Sequence, residues 1–432
     1  MVRRGQALEQ LELIASQVPE AYEWLEKECC RAIETKIPAE QMKAAKRLLQ
    51  WELGQIKDRN LAVIFFHLHT YMKEMNLRAE DVKFSGGVLS SLVAYILGIT
   101  CLNPVTYGFA TEAFYGDYKK GAFVPEVPYV ALMVSPTVRQ QSFPVLNNLP
   151  GIGEVAELGW ESQYLIAFLP REKVPDVGPV YRKANGQLCT VFHQVAYEKC
   201  WVWEFSAWNV LEHLAMLYKM TGVNPADIPL EDEETVNYLR EGEIYSCAQK
   251  YNPTLTDGSE LHLEMLGLGF EESTPGEKKR KSKSIYKEMV EALNPTSFHD
   301  FAKIYGLLRG TGTWSDKIQE MVQAGELSKK NILASREDVR EYLKTKGIPL
   351  EKVGGLPHHP RNSGALNSYL PEAGVDDWFL KSCMEIGNLW ARHSVMQNTL
   401  IFWRLAYFRT HYPKIFYDTL LVREDGISSV SR

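Results

Sequence analysis

Residues 84–108 read FSGGVLSSLVAYILGITCLNPVTYG, and the assignment of the fold rests on them. A glycine pair opens an apolar run, Gly98 closes it, and an Asn-Pro turn follows. A glycine turn feeding a helix start is the usual shape of a phosphate cradle, because backbone N–H groups and the helix dipole both favour an anion there. Such a cradle normally carries a cation as well. Here Lys83 stands just outside, and no basic residue follows until Lys119.

On the N-terminal side, residues 6–83 read as helical. Leu48, Leu49, Leu53 and Ile56 recur at helical spacing, and Leu61 to Met75 continues as an apolar, aromatic-rich segment. The stretch 84–207 is mixed. VPYVALMV (127–134) and YLIAFLP (164–170) are short, apolar and bounded by proline or polar residues, which predicts buried strands. TVFHQVAYEKCWVWEF (190–205) predicts one or two more. From Trp208 onward the helical period dominates, with helices expected near 284–293, 315–324, 336–346, 376–389 and 395–411, the last apolar nearly all round and stopped by Pro413.

The bulk composition agrees with a folded chain. Of the 432 residues, 45% are hydrophobic and 24% charged, enough for a large core. No apolar stretch reaches the roughly 20 residues that span a bilayer. The opening MVRRGQALEQLELIASQ lacks a continuous apolar core, so it does not read as a signal peptide, and a cytoplasmic location without membrane partners is expected. Seven cysteines are scattered without C-x-x-C spacing, which argues against a disulfide framework or a zinc cluster. Pro357-His358-His359-Pro360 reads as a loop between prolines.

A formal net charge of −6 argues against strong nucleic-acid binding over the whole surface. EKKRKSKSIYK (277–287) breaks that trend with six cations: Lys278, Lys279, Arg280, Lys281, Lys283 and Lys287. This run is either a solvated loop or a strip that contacts phosphates without reading bases.

Five stretches carry a resemblance. They are WELGQIKDRNLAVIFFHLHTYMKEMNL (51–77), SSLVAYILGITCLNP (90–104), MTGVNPADIPLEDEETV (220–236), YGLLRGTGTWSDKIQEMVQAG (305–325) and RLAYFRTHYPKIFYDTLLVRED (404–425). In this order they resemble the palm and fingers core of bacterial DNA polymerase III alpha subunits, particularly the Gram-positive PolC type, over about residues 40–427. The resemblance implies an α+β fold: a nucleotidyltransferase-like palm with a small mixed sheet and helices, then a mostly helical fingers domain. The expected division is 1–83 for the N-terminal helical part of the palm, 84–207 for the palm with a shortened thumb-like insertion near 135–160, and 208–432 for the fingers.

Family members hold the incoming triphosphate on a Gly-Ser turn assisted by arginine, and hold two magnesium ions on three aspartates. Both devices are eroded here. In the family's R-G-S-x-G-S pattern, Ser85 stands at the arginine, Gly87 at the serine and Leu89 at the second glycine, leaving Gly86, Gly87, Ser90 and Ser91 as the remnant of the turn. The helix dipole is expected to survive without its compensating cation. The family's P-D-I-D aligns with Pro125-Glu126-Val127-Pro128, and its third aspartate with Glu204, so Glu126 and Glu204 are the vestigial metal-ligand positions. In the fingers signature Gly312 replaces an aspartate. The basic turn before the last helix is reduced to Trp390-Ala391-Arg392-His393.

Three readings follow. The preferred one is a non-catalytic pseudo-polymerase of DNA replication, without a cofactor, that binds DNA, a primer-template, a replisome protein or an active polymerase. The second is a Mg2+-dependent DNA polymerase or nucleotidyltransferase using Glu126 and Glu204. The third is a protein-interaction scaffold without nucleic acid.

Overall fold

The computed structural model describes residues 5–115, 128, 130–158, 165–171, 174–191, 199–240 and 279–419. The chain divides into two compact units, the first running to Glu212 and the second from His213.

The first unit is helical at its start: α1 (Gly5–Ser16), α2 (Ala21–Lys36), α3 (Met42–Asp58) and α4 (Ala62–Glu74). In α3 the buried residues Ala45, Leu49, Glu52, Leu53 and Ile56 form one face at helical spacing. Strand β1 (Lys83–Ser85) leads through a 3-10 turn, Gly87–Ser90, into the short helix α5 (Leu92–Ile96). Helices α6 (Pro104–Tyr107), α7 (Glu112–Tyr115) and α8 (Pro136–Asn147) follow, with strands β2 (Val130–Val134), β3 (Ile152–Leu158), β4 (Leu165–Pro170), β5 (Val180–Arg182), β6 (Leu188–Thr190) and β7 (Trp201–Ala207).

The strands form one mixed sheet in the order β1-β2-β7-β4-β3-β6-β5. Alternation along β2 and β7 sends Val130, Leu132, Val134, Trp201, Trp203 and Phe205 into a core shared with α1 to α4. Phe168 lies 4.7 Å from both Trp201 and Trp203, ring centre to ring centre. Burying each such ring contributes about 2–3 kcal/mol. Within the stretch expected as a thumb-like insertion near 135–160, the described residues supply α8 and β3, and β3 is internal to the sheet between β4 and β6. The pairing of Ala156 with both Ala167 and Leu188 sets that position, a non-local contact that spacing alone does not reveal.

The second unit is helical. It includes α9 (Glu233–Arg240), α10 (Lys279–Leu293), α11 (Phe298–Arg309), α12 (Asp316–Gln323), α13 (Arg336–Thr345), α14 (Asp377–Glu385) and α15 (Arg392–His411). α15 is buried almost all round, as its apolar sequence predicts. Its Trp403 packs edge-on against Phe298 at 5.7 Å and donates its ring N–H to the Pro229 carbonyl at 2.8 Å. A small mixed sheet with helices, followed by a helical domain, is the α+β class expected from the resemblance.

Candidate functional site

The glycine turn is built by local backbone needs. β1 ends at Ser85, and Gly86 takes φ 76°, ψ −160°, a conformation that a side chain would strain. The chain then winds through Gly87–Ser90, and Ser91 caps α5 by accepting the Ala94 N–H at 3.2 Å. Both surviving hydroxyls point inward: Ser90 donates to the Gly87 carbonyl at 2.7 Å, and Ser91 donates to Glu52 at 2.7 Å.

Glu52 belongs to no motif, and the sequence does not mark it as part of the site. Fully buried, it accepts from the Ser91 hydroxyl, from the Tyr115 hydroxyl at 2.7 Å, and from the backbone N–H of Leu92 at 2.7 Å and of Val93 at 3.3 Å. Burial pushes its carboxyl up to about 6, while the four donors pull the other way. An internal carboxylate already sits on the first amides of α5. The signal in the sequence is a charged residue between Leu49, Leu53 and Ile56, on a face otherwise apolar.

Across the sheet, one row holds two positions that the resemblance singles out, Ser85 and Glu204. Ser85 pairs with Ala131, Ala131 with Glu204, and Glu204 with Leu165. The partners Val130 and Trp203, one residue earlier on each strand, enter the large core, so Ala131 and Glu204 share the opposite face. Glu204 is half-buried there. Glu126 lies outside the described residues, and Pro128 is buried. The next row along this face pairs Lys83 with Met133 and Met133 with Ser206; the Lys83 ammonium sits 4.4 Å from the centre of the Trp208 ring. Among the described residues no group of three or more His, Cys, Asp or Glu side chains is placed to hold a metal.

In the fingers unit, Gly312 has φ 72°, and a Cβ there would lie 2.2 Å from the Glu385 carbonyl oxygen. The turn is held by Thr311, which donates its N–H to Asn388 at 3.0 Å and accepts from the Gly387 N–H at 2.7 Å. Arg392 is claimed from within. It pairs with Asp338 at 2.8 Å and with Glu341 at 2.8 Å, and its backbone N–H donates to Glu337 at 2.6 Å. Burial would lower the Arg392 guanidinium, but the Glu341 and Asp338 carboxylates outweigh it and hold the group above its ordinary range. Burial, reinforced by Arg336, depresses His393 to about 3, so it is neutral near pH 7. His358 is likewise depressed to about 4 by burial and by Arg336 and Arg340, and the neighbouring His359 ring contacts the Gly387 carbonyl at 3.2 Å.

The basic run divides. Lys278 lies outside the described residues, whereas Lys279, Arg280, Lys281 and Lys283 fall in the first turns of α10 and Lys287 further along it. The helix starts earlier than the expected 284, with Tyr286, Met289, Val290 and Leu293 as its buried face. Lys287 is exposed and lies 3.8 Å from Glu291.

Two family models match the chain: the bacterial DNA polymerase III alpha NTPase domain over residues 23–122, and the bacterial DNA polymerase III alpha subunit finger domain over residues 209–352. The chain belongs to the bacterial DNA polymerase III alpha family. The matched regions together take in more than half of it, and they fall on the glycine turn and on the helical unit. Among curated relatives, the PolC-type DNA polymerase III of Caldanaerobacter subterraneus is 28% identical over 220 residues, half of this chain and 14% of the relative. The Staphylococcus saprophyticus PolC-type enzyme is 26% identical over 208 residues, covering 47% of this chain and 13% of the relative. That of Clostridium perfringens is 26% identical over 221 residues, 50% and 14%. The chain thus spans a small part of these relatives' length. Among its described residues, no helix is long and apolar enough to cross a membrane.

Proposed function

We propose that this polymerase III alpha-like chain takes part in DNA replication without transferring nucleotides, by binding DNA or a replisome protein. One observation carries the reading: the row Ser85–Ala131–Glu204 holds one carboxylate and no cation. An Asp-x-Asp that aims both acids at a metal beside Glu204 needs residues with the parity of Ala131. Aligned on Pro128 instead of Pro125, the family's P-D-I-D places Tyr129 and Ala131 at its aspartates. Two-metal phosphoryl transfer needs a cluster of oxygen ligands, and magnesium requires near-octahedral geometry at about 2.0–2.1 Å. Among the described residues, the row across β1, β2, β7 and β4 supplies one carboxylate, Glu204.

The internal neutralisation of both charged elements supports the same reading. Glu52 takes the amides of α5, and Asp338 with Glu341 takes Arg392. Neither is set out for a triphosphate.

Primer extension on a primed template with Mg2+ or Mn2+ tests it. No incorporation above background is expected. Incorporation by the wild-type chain that Glu204→Ala abolishes would establish the metal-dependent nucleotidyltransferase alternative with Glu204 as a ligand, and loss in Glu126→Ala as well would add Glu126. DNA binding across a salt series separates the nucleic-acid reading from a scaffold that binds only protein. Affinity held by Lys279, Arg280, Lys281, Lys283 and Lys287 falls steeply with salt, and no binding at low salt leaves the scaffold.

A further inference from the structure

Gly87 has no room for a side chain. A Cβ there would lie 2.4 Å from the Phe114 Cα and 2.7 Å from its backbone nitrogen, atoms that cannot swing aside. The segment that brings Phe114 so close is held at several points. The Phe114 ring packs edge-on against Phe65 at 5.5 Å, and the Tyr115 ring against Trp51 at 5.5 Å. The Tyr115 hydroxyl donates to Glu52, and the Arg59 guanidinium donates to the Tyr115 carbonyl. Phe114 and Tyr115 are both buried. One carboxylate, Glu52, therefore ties this segment to the helix that follows the glycine turn.

We propose that residues Thr111–Tyr115 are a built-in plug of the glycine turn. The inference rests on reading the palm as a non-catalytic relative, and it changes what was lost: the turn is shut by main chain as well as stripped of charge. The family's serine at this place requires a Cβ that the plug excludes, so this segment and a serine-bearing turn cannot coexist. Restoring the missing cation is then insufficient to recover a triphosphate. The plug is part of the core and not a lid, because its aromatic rings and the buried Glu52 carboxylate leave the interior if it opens.

The full-length chain tests this with Gly87→Ala, Gly87→Ser and, as a control, Gly54→Ala in α3, where no heavy atom lies within 4 Å of the added Cβ. The backbone at Gly87 is not left-handed, so the close approach alone penalises the substitution. Both Gly87 variants should melt about 4 °C or more below wild type, or fail to fold, while Gly54→Ala holds or gains. An unchanged melting temperature in Gly87→Ala overturns the plug. Independently, Ser85→Arg titrated calorimetrically with Mg-dATP should show no binding. Micromolar binding by that variant overturns the plug while leaving the non-catalytic reading intact. Primer extension by the wild-type chain would overturn that reading and the plug with it.

Discussion

Ala131 stands beside Glu204 in the parallel register joining β2 to β7, with both side chains turned away from the large core. In an active palm this place would hold neighbouring acids around metal ions. Here a methyl group stands next to the Glu204 carboxylate, and the pair is the most direct test of what the palm can hold.

Ala131→Asp sets two carboxylates on adjacent strands, about 4.8 Å apart. Without metal, desolvation of the new carboxylate at buried Ala131, added to its repulsion by Glu204, should lower stability by about 3 kcal/mol in urea denaturation. Added Mn2+ should restore the loss in the variant and leave the wild type unmoved. Equal stabilisation of both proteins by Mn2+ would mean that a metal site already exists.

Glu52 makes a prediction about pH. Its folded-state value, raised to about 6 from 4.5, means that the folded protein holds this proton more tightly than the unfolded chain. The associated stability is complete below about pH 4.5 and lost as pH rises through about 6, a change of about 2 kcal/mol. Comparing wild type with Glu52→Gln cancels the other carboxylates. The stability of wild type relative to the variant should fall by that amount between pH 4.5 and 7, and a difference that rises with pH would refute the assignment.

Arg392 should matter to folding and not to substrate. Arg392→Met leaves Asp338 and Glu341 without their shared cation, which should cost about 2 kcal/mol by chemical denaturation. DNA affinity should be unchanged. A loss of DNA binding at full stability would instead place the guanidinium at an interface.

The basic helix predicts opposite effects on binding and on stability. Cations in the first turns of α10 oppose its dipole, so Lys281→Glu with Lys283→Glu should raise stability by about 0.3–1 kcal/mol. The same change should weaken primer-template binding and flatten its salt dependence by roughly one unit of log–log slope for each phosphate that is no longer neutralised. Unaltered DNA affinity would assign the run to solvent.

Much of the fold is legible because it is periodic or punctuated. The apolar runs at 127–134 and 164–170 contain β2 and β4, and the aromatic run ending at Phe205 takes in most of β7. β1, β5 and β6 have three residues each, too few to show a period. The apolar period places the start of α10 too late, because its first residues are those that a helix N-terminus disfavours. Glu52 and Phe114 carry no motif. Their importance comes from partners 39 to 63 residues away for Glu52, and from a close approach to Gly87 for Phe114.

The sequence by itself determined the family and the two-part α+β plan, since both are written in residue order and short-range spacing. Only the tertiary structure decided which residue stands next to Glu204, what already occupies the amides of α5, and why Gly87 must stay bare. Strand register and the packing of one segment over another depend on contacts between distant parts of the chain, and those contacts leave no local pattern to read.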